Sequence, residues 1–246
     1  MRLQLLTWPA VAEYLERSTG ILVPIGSTEQ HGPNGLVGTD AICPETLAWS
    51  AGERDDILVA PTLAIGMAQH HLGFPGSITL RPATLLAMIT DIVESLARTG
   101  FTHLYFVNGH GGNIATLYSA FSAVHAEASL AGQASPLRLR LGNWFDGPRV
   151  RALSQRLFGA ADGSHATASE VSLSWFAHPQ ARREVRMTPE VAPSGGFHDA
   201  ADYRRRYPDG RIGSNPALAS VEAGAQLHAA GVDDLVEDYR AFLATD

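Results

Sequence analysis

Three short stretches of this chain gather side chains able to bind a metal or move a proton. Glu29 and His31 stand two residues apart, so on extended backbone their side chains point the same way. A carboxylate and an imidazole converging on one point, with Asp40 a loop further on, suit zinc, manganese or iron. Taken alone, Glu-x-His is also a common pair in a surface loop. The run Asn108-Gly109-His110-Gly111-Gly112-Asn113 has His110 as its one metal-binding side chain, framed by glycines that allow sharp turns and close approach. Opening a helix, the same turn would equally cradle an anion. Between Asp162 and Glu170, His165 and Glu170 would both reach one cavity from a helix entrance, and Asp162 would orient His165 for acid–base work. The plainer account makes Asp162 or Ser164 a helix cap and Glu170 a solvated carboxylate.

Composition removes several other chemistries. All 18 basic residues are arginine, so neither an imine-forming lysine nor a P-loop lysine exists. The single cysteine, Cys43, excludes an internal disulfide and a zinc site of several thiolates; it reads as a small buried residue. A formal charge of −7 argues against general nucleic-acid binding. The start of the chain lacks a signal-peptide pattern and no apolar run approaches membrane-spanning length, so a cytoplasmic, membrane-free protein is expected.

The elements that must position these groups alternate. Helices are expected from Pro9 to Arg17, Pro44 to Glu53, Pro82 to Arg98 and Asn113 to Leu130. Strands are expected at 21–25, 57–60, 103–107 and 137–141, with a closing helix from Pro216 to Leu243. The stretch from Pro189 to Asn215, rich in Gly, Pro, Asp and Arg, reads as a long irregular excursion. Such alternation predicts an α/β fold with a mostly parallel sheet, forming one domain over residues 1–246. Parallel sheets bind ligands outside the carboxyl ends of their strands, which selects the loops carrying Glu29, His31 and His110.

Val23-Pro-Ile-Gly-Ser-Thr-Glu-Gln-His-Gly-Pro33, Gly38-Thr39-Asp40, Phe74-Pro-Gly-Ser-Ile78, Asn108 to Asn113 and His165-Ala-x-x-x-Glu170-x-Ser172 occur in that order. Together they resemble the creatininase family of metal-dependent amidohydrolases. The resemblance implies a three-layer α/β/α sandwich, two divalent metal ions (Zn, Mn or Fe) and often a homohexamer. It implies Glu29, His31, Asp40 and His110 as metal ligands, with Asp40 bridging. Creatininase uses a further glutamate where this chain has Gly112, and Glu170 is put forward in its place. Departures at Asn34, Gly35, Ala68 and Ala161 fall around the substrate pocket, which makes creatinine a doubtful substrate.

The implied reaction is hydrolysis of a non-peptide C–N bond in a small cyclic amide or formamide, by water activated between two cations. His165, oriented by Asp162, is the expected proton donor to the leaving nitrogen. Glu170 completes the second metal site or shuttles the proton. Trp144 and His71 are candidates for the substrate-binding wall, and Arg204-Arg205-Arg206 for an anion or a neighbouring subunit, against a plain solvated run. Two other functions remain open: a peptidase-like member trimming a short modified peptide, and a non-catalytic metal-binding scaffold.

Overall fold

The computed structural model describes residues 1–245. Helix α1 (Trp8–Leu15) leads into β1 (Gly20–Ile25), and α2 (Thr39–Asp55) and α3 (Pro82–Arg98) precede β2 (His103–Asn108). Helix α4 (Ile114–Leu130) connects to β3 (Arg138–Asn143), followed by α5 (Pro148–Phe158), α6 (Ala168–Ala177), α7 (Ala200–Arg206) and α8 (Val221–Leu243). The strands are parallel in the order β1-β2-β3, with Ile21 beside Leu104 and Leu104 beside Leu139.

Period two along the strands assigns the layers. Ile21, Val23, Ile25, Leu104 and Phe106 pack with Leu85, Ile89 and Val93 of α3 and Leu117 and Phe121 of α4. Leu22, Tyr105 and Val107 face the opposite way, onto Leu47 of α2, Leu153 of α5, Leu173 of α6 and Leu227 of α8. Helices therefore cover both faces, giving the three-layer α/β/α arrangement. No described helix is long and apolar enough to cross a membrane.

Residues 57–60 do not form the expected strand. Leu22 N–H donates to the Leu58 carbonyl at 3.0 Å and the Leu22 carbonyl accepts from Ala60 N–H at 2.8 Å, so pairing with β1 begins. Two residues on, Pro24 has no N–H to continue the ladder. Contact resumes one residue out of step, where Leu63 N–H donates to the Pro24 carbonyl at 2.9 Å.

The excursion at 189–215 is more ordered than its composition suggests. It contains α7, a fully buried Tyr203 and a fully buried Arg211. The Arg211 guanidinium donates to the carbonyls of Pro189, Glu190 and Ser214 at 2.8, 2.9 and 3.0 Å, which ties the loop into a knob. Arg205 and Arg206 pair with Asp202 of their own helix, and Arg204 lies over the Phe74 ring.

Candidate metal centre

The helix expected from Pro44 begins earlier, at Thr39, and carries Asp40 in its first turn. Pro44 offers no N–H to the Asp40 carbonyl four residues back. That carbonyl is wedged between the ends of β1 and β2. A Cβ on either Gly26 or Gly109 would stand 2.0 Å from it, so glycine at both strand ends lets α2 seat deep enough to deliver Asp40. Beyond β2, Asn108 accepts from His110 N–H at 3.2 Å and donates to the His110 carbonyl at 2.7 Å, fixing the turn that presents this histidine.

Glu29, His31, Asp40 and His110 converge in a buried cluster. Asp40 divides its oxygens: Oδ1 lies 3.0 Å from His31 Nε2 and Oδ2 lies 2.9 Å from His110 Nδ1. Glu29 Oε2 is 3.3 Å from His110 Nε2 and accepts from Ser27 Oγ at 2.8 Å. His31 Nδ1–H donates to the Glu29 carbonyl at 3.1 Å, which turns its Nε2 towards Asp40. Two triads share Asp40: Glu29, Asp40 and His110, and His31, Asp40 and Glu170, with the ligand atoms of each within 4.8 Å of one another. Glu29 Oε1 and Asp40 Oδ2 are buried without a hydrogen bond, although His71 Nε2 and His110 Nδ1 lie 3.0 and 2.9 Å from them. Buried carboxylate oxygens without donors, set among imidazole nitrogens, are the environment a pair of divalent cations fits.

The same packing displaces proton affinities. Burial alone would lower His31, but Asp40, Glu170 and Glu29 outweigh it and raise it to about 10. Burial likewise opposes the rise of His110, which Glu29 and Asp40 carry to about 9. Asp40, despite its burial, is held well below the usual carboxylate range by His31 and His110. Glu170 is pushed up to about 7 by burial, with His31 opposing and Asp40 adding to the rise. His165 is driven well below the ordinary imidazole value by burial and by the neighbouring His71 and His31.

Glu170 enters the cluster, with Oε1 3.9 Å from His31 Nε2. It is not a solvated carboxylate: it occupies the third position of a capping box, accepting from Thr167 N–H while Thr167 Oγ1 accepts from Glu170 N–H at 3.1 Å. The cap is therefore Thr167, rather than Asp162 or Ser164. At position 112 no side chain fits, because a Cβ there would stand 2.4 Å from His110 Nε2 and 2.7 Å from the Met67 carbonyl.

The expected pairing of Asp162 with His165 is not the arrangement found. Asp162 accepts from Ser169 N–H at 2.8 Å and Ser169 Oγ at 2.9 Å, which supports the start of α6. His165 is held by other groups. Its Nε2 lies 2.9 Å from the Gln30 backbone carbonyl and 2.8 Å from the Gln30 side-chain nitrogen, and its Nδ1 is 3.9 Å from Glu29 Oε1. Its backbone bridges to Ile212, and Ser214 Oγ donates to its carbonyl at 2.7 Å, so the 189–215 knob fastens it. Trp144 lines a cavity of about 540 Å³ together with Asp40, His110, His165 and Glu170, and also belongs to the core under α5 and α8. His71 does not line that cavity. It is buried behind Glu29, with Nε2 3.0 Å from Oε1, and its ring stacks on His165 at 4.4 Å. Cys43 is fully buried in α2, as expected.

Sequence reasoning passed over Gln30 and His70. Gln30 alternates away from its neighbours Glu29 and His31, and its amide nitrogen reaches His71 Nδ1 at 2.9 Å and the Gly210 carbonyl at 2.9 Å. Period two applied to that motif already pointed it to the opposite side. His70 lies between His110 and Phe197, stacked on the latter at 4.8 Å, and burial lowers it to about 4.

The fold and this cluster define an α/β/α protein with a carboxylate–imidazole metal centre at the carboxyl ends of its parallel strands. A model of the creatininase family, described as creatinine amidohydrolase, matches residues 4–239. The chain belongs to the creatininase family. It is 36% identical over 118 residues to a mycofactocin precursor peptide peptidase of Mycolicibacterium smegmatis, covering 46% of this chain and 47% of that protein. It is 29% identical over 168 residues to the creatinine amidohydrolase of Pseudomonas putida, covering 65% and 64%. The aligned stretches thus span about half to two thirds of these relatives. A manganese creatininase superposes with a TM-score of 0.85 at 25% identity over 99% of both chains. A mutant creatininase of Zn-Zn type gives 0.83 at 25%, over 99% of this chain and 98% of that one.

Proposed function

We propose that this chain is a binuclear-metal amidohydrolase that cleaves the C–N bond of a small amide. The observation that carries the reading is the division of Asp40 between His31 and His110, which makes one carboxylate common to two ligand sets. Glu29, Asp40 and His110 would hold one ion, and His31, Asp40 and Glu170 the other. Two divalent cations there would lower the pKa of water and polarise the amide carbonyl. The manganese and Zn-Zn relatives support that pair of ions.

The remaining work falls to this chain's own side chains. His165 is kept neutral by burial and by the neighbouring His71 and His31, with Nε2 against Gln30 and Nδ1 on the side of the cluster. It takes a proton at Nδ1 and returns it to the departing nitrogen, which must be protonated to leave. Its orientation comes from Gln30 and the 212–214 backbone rather than from Asp162. Trp144 walls the cavity and excludes water from the reacting carbonyl.

A second reading, trimming of a short modified peptide, is favoured by the 36% identity to the mycofactocin precursor peptide peptidase. Assaying the metal-reconstituted protein on lactams, hydantoins, creatinine, formamides and short peptides separates the two. Release of amine from the small amides supports the first reading. Release only from peptides supports the second, and a metal-loaded protein inert on every compound defeats both.

A further inference from the structure

The cavity in front of the cluster has two unlike walls. Asp40, His110, His165 and Glu170 form one, and α5 turns Arg151, Ser154 and Gln155 into the other. Positions i, i+3 and i+4 share one helix face, so these three side chains make a continuous polar strip. Among the described residues none of the three has a side-chain hydrogen bond or ion pair, and Arg151 is the one arginine on the cavity.

Helix α5 is held firmly enough to aim that strip. Asp234 of α8 accepts from Arg149 N–H at 3.0 Å and Val150 N–H at 3.1 Å, and pairs with the Arg149 guanidinium at 2.8 Å. A Cβ on Gly147 would stand 2.3 Å from Asp234 Oδ2, so the helix entrance is pressed against this carboxylate. Arg149 is thereby neutralised by Asp234 and Glu237, whereas Arg151, two residues on, keeps its charge. The acidic groups of the cavity are committed elsewhere: Asp40 and Glu170 to the cluster, and Asp162 to Ser169.

An unpaired guanidinium beside a cavity, with a hydroxyl and an amide on the same face, is a receptor for a carboxylate, whose two oxygens match its fork. We propose that Arg151 receives the carboxylate of the substrate, so that the site takes amides whose other end is anionic. This inference rests on amide hydrolysis at the cluster, the step common to both readings above, and narrows the substrate class to N-acyl amino acids under the first or the C-terminal residue of a short peptide under the second. The shared feature is an amide bond and a carboxylate spanning the cavity from the cluster to α5.

The test compares each acid with its uncharged carboxamide: N-acetylalanine against N-acetylalaninamide, and a tetrapeptide against its C-terminal amide. Binding is read by calorimetry on the metal-free and metal-loaded full chain, and kcat/KM by amine release. The acid should be preferred by about 10- to 100-fold, the range of a charge-assisted hydrogen bond. Arg151→Gln should bring the ratio to about one, Arg151→Lys should restore part of it, and Arg156→Gln, on α5 but outside the cavity, should leave it intact. The pair that shows the preference identifies the source of the carboxylate. Equal binding of acid and carboxamide in both pairs, or a preference that survives Arg151→Gln, overturns the inference. Carboxylate binding through Arg151 without turnover of any compound sinks the hydrolase reading instead, and amide hydrolysis without acid preference sinks only the role of Arg151.

Discussion

Gly112 and His110 are in van der Waals opposition: a Cβ on the glycine would stand 2.4 Å from the imidazole Nε2. The position where creatininase places a ligand glutamate is closed in this chain, and the cluster draws its last carboxylate from α6. Gly112→Ala should push His110 off the cluster and weaken metal binding by about 10- to 100-fold, as loss of a ligand's orientation does. Equilibrium dialysis against zinc or manganese measures it, and an unchanged affinity would contradict the geometry. Gly112→Glu should behave as badly or worse, not as a gain of ligand.

Removing one carboxylate at a time tests the sharing of Asp40. Glu29→Gln and Glu170→Gln should each lower metal content from about two to about one ion per chain, because the ion opposite keeps its own set. Glu170→Gln preserves the capping box, so its melting temperature should stay near that of the parent. Elemental analysis of the purified variants gives the stoichiometry, and full occupancy in either removes that residue from the ligand list.

His165 and Asp162 should separate cleanly. His165→Ala is expected to lower kcat by about 10²- to 10⁴-fold with metal content near normal. Asp162→Asn loosens the bonds to Ser169 that start α6, and should cost about 1 kcal/mol of stability. Parallel kinetics and thermal melts decide the matter; a kcat loss in the asparagine variant as deep as in the alanine variant would restore Asp162 as the orienting group.

Metal-free protein should lose stability as pH rises. His31 and His110 stand at about 10 and about 9 when folded, against 6.5 for the ordinary imidazole. Raised values mean that their contribution is complete below pH 6.5 and disappears as pH climbs through 9 and then 10. The Tm of the metal-free chain should fall across that window, and metal uptake at neutral pH should release protons to the solvent. A Tm that climbs over the same range would reverse the sign and refute the assignment.

The order of motifs, the strand at 21–25 and the shared direction of Glu29 and His31 were all legible along the chain. Each follows from a local period, and a local period states which way a side chain points. Four of the cluster's groups could therefore be named from the strand-end loops and the motif they resemble. Spacing cannot state distances between elements that meet only on folding. The resemblance already implied Asp40 as the shared carboxylate, but only tertiary structure gives the way it reaches both His31 and His110, because Gly26 and Gly109 leave room for its carbonyl. Tertiary structure likewise decided that Asp162 bonds Ser169 while Gln30 holds His165, and that α5 turns Arg151 into the cavity. Those pairings depend on which helix packs beside which strand end, and packing is a property of the whole core rather than of any stretch within it.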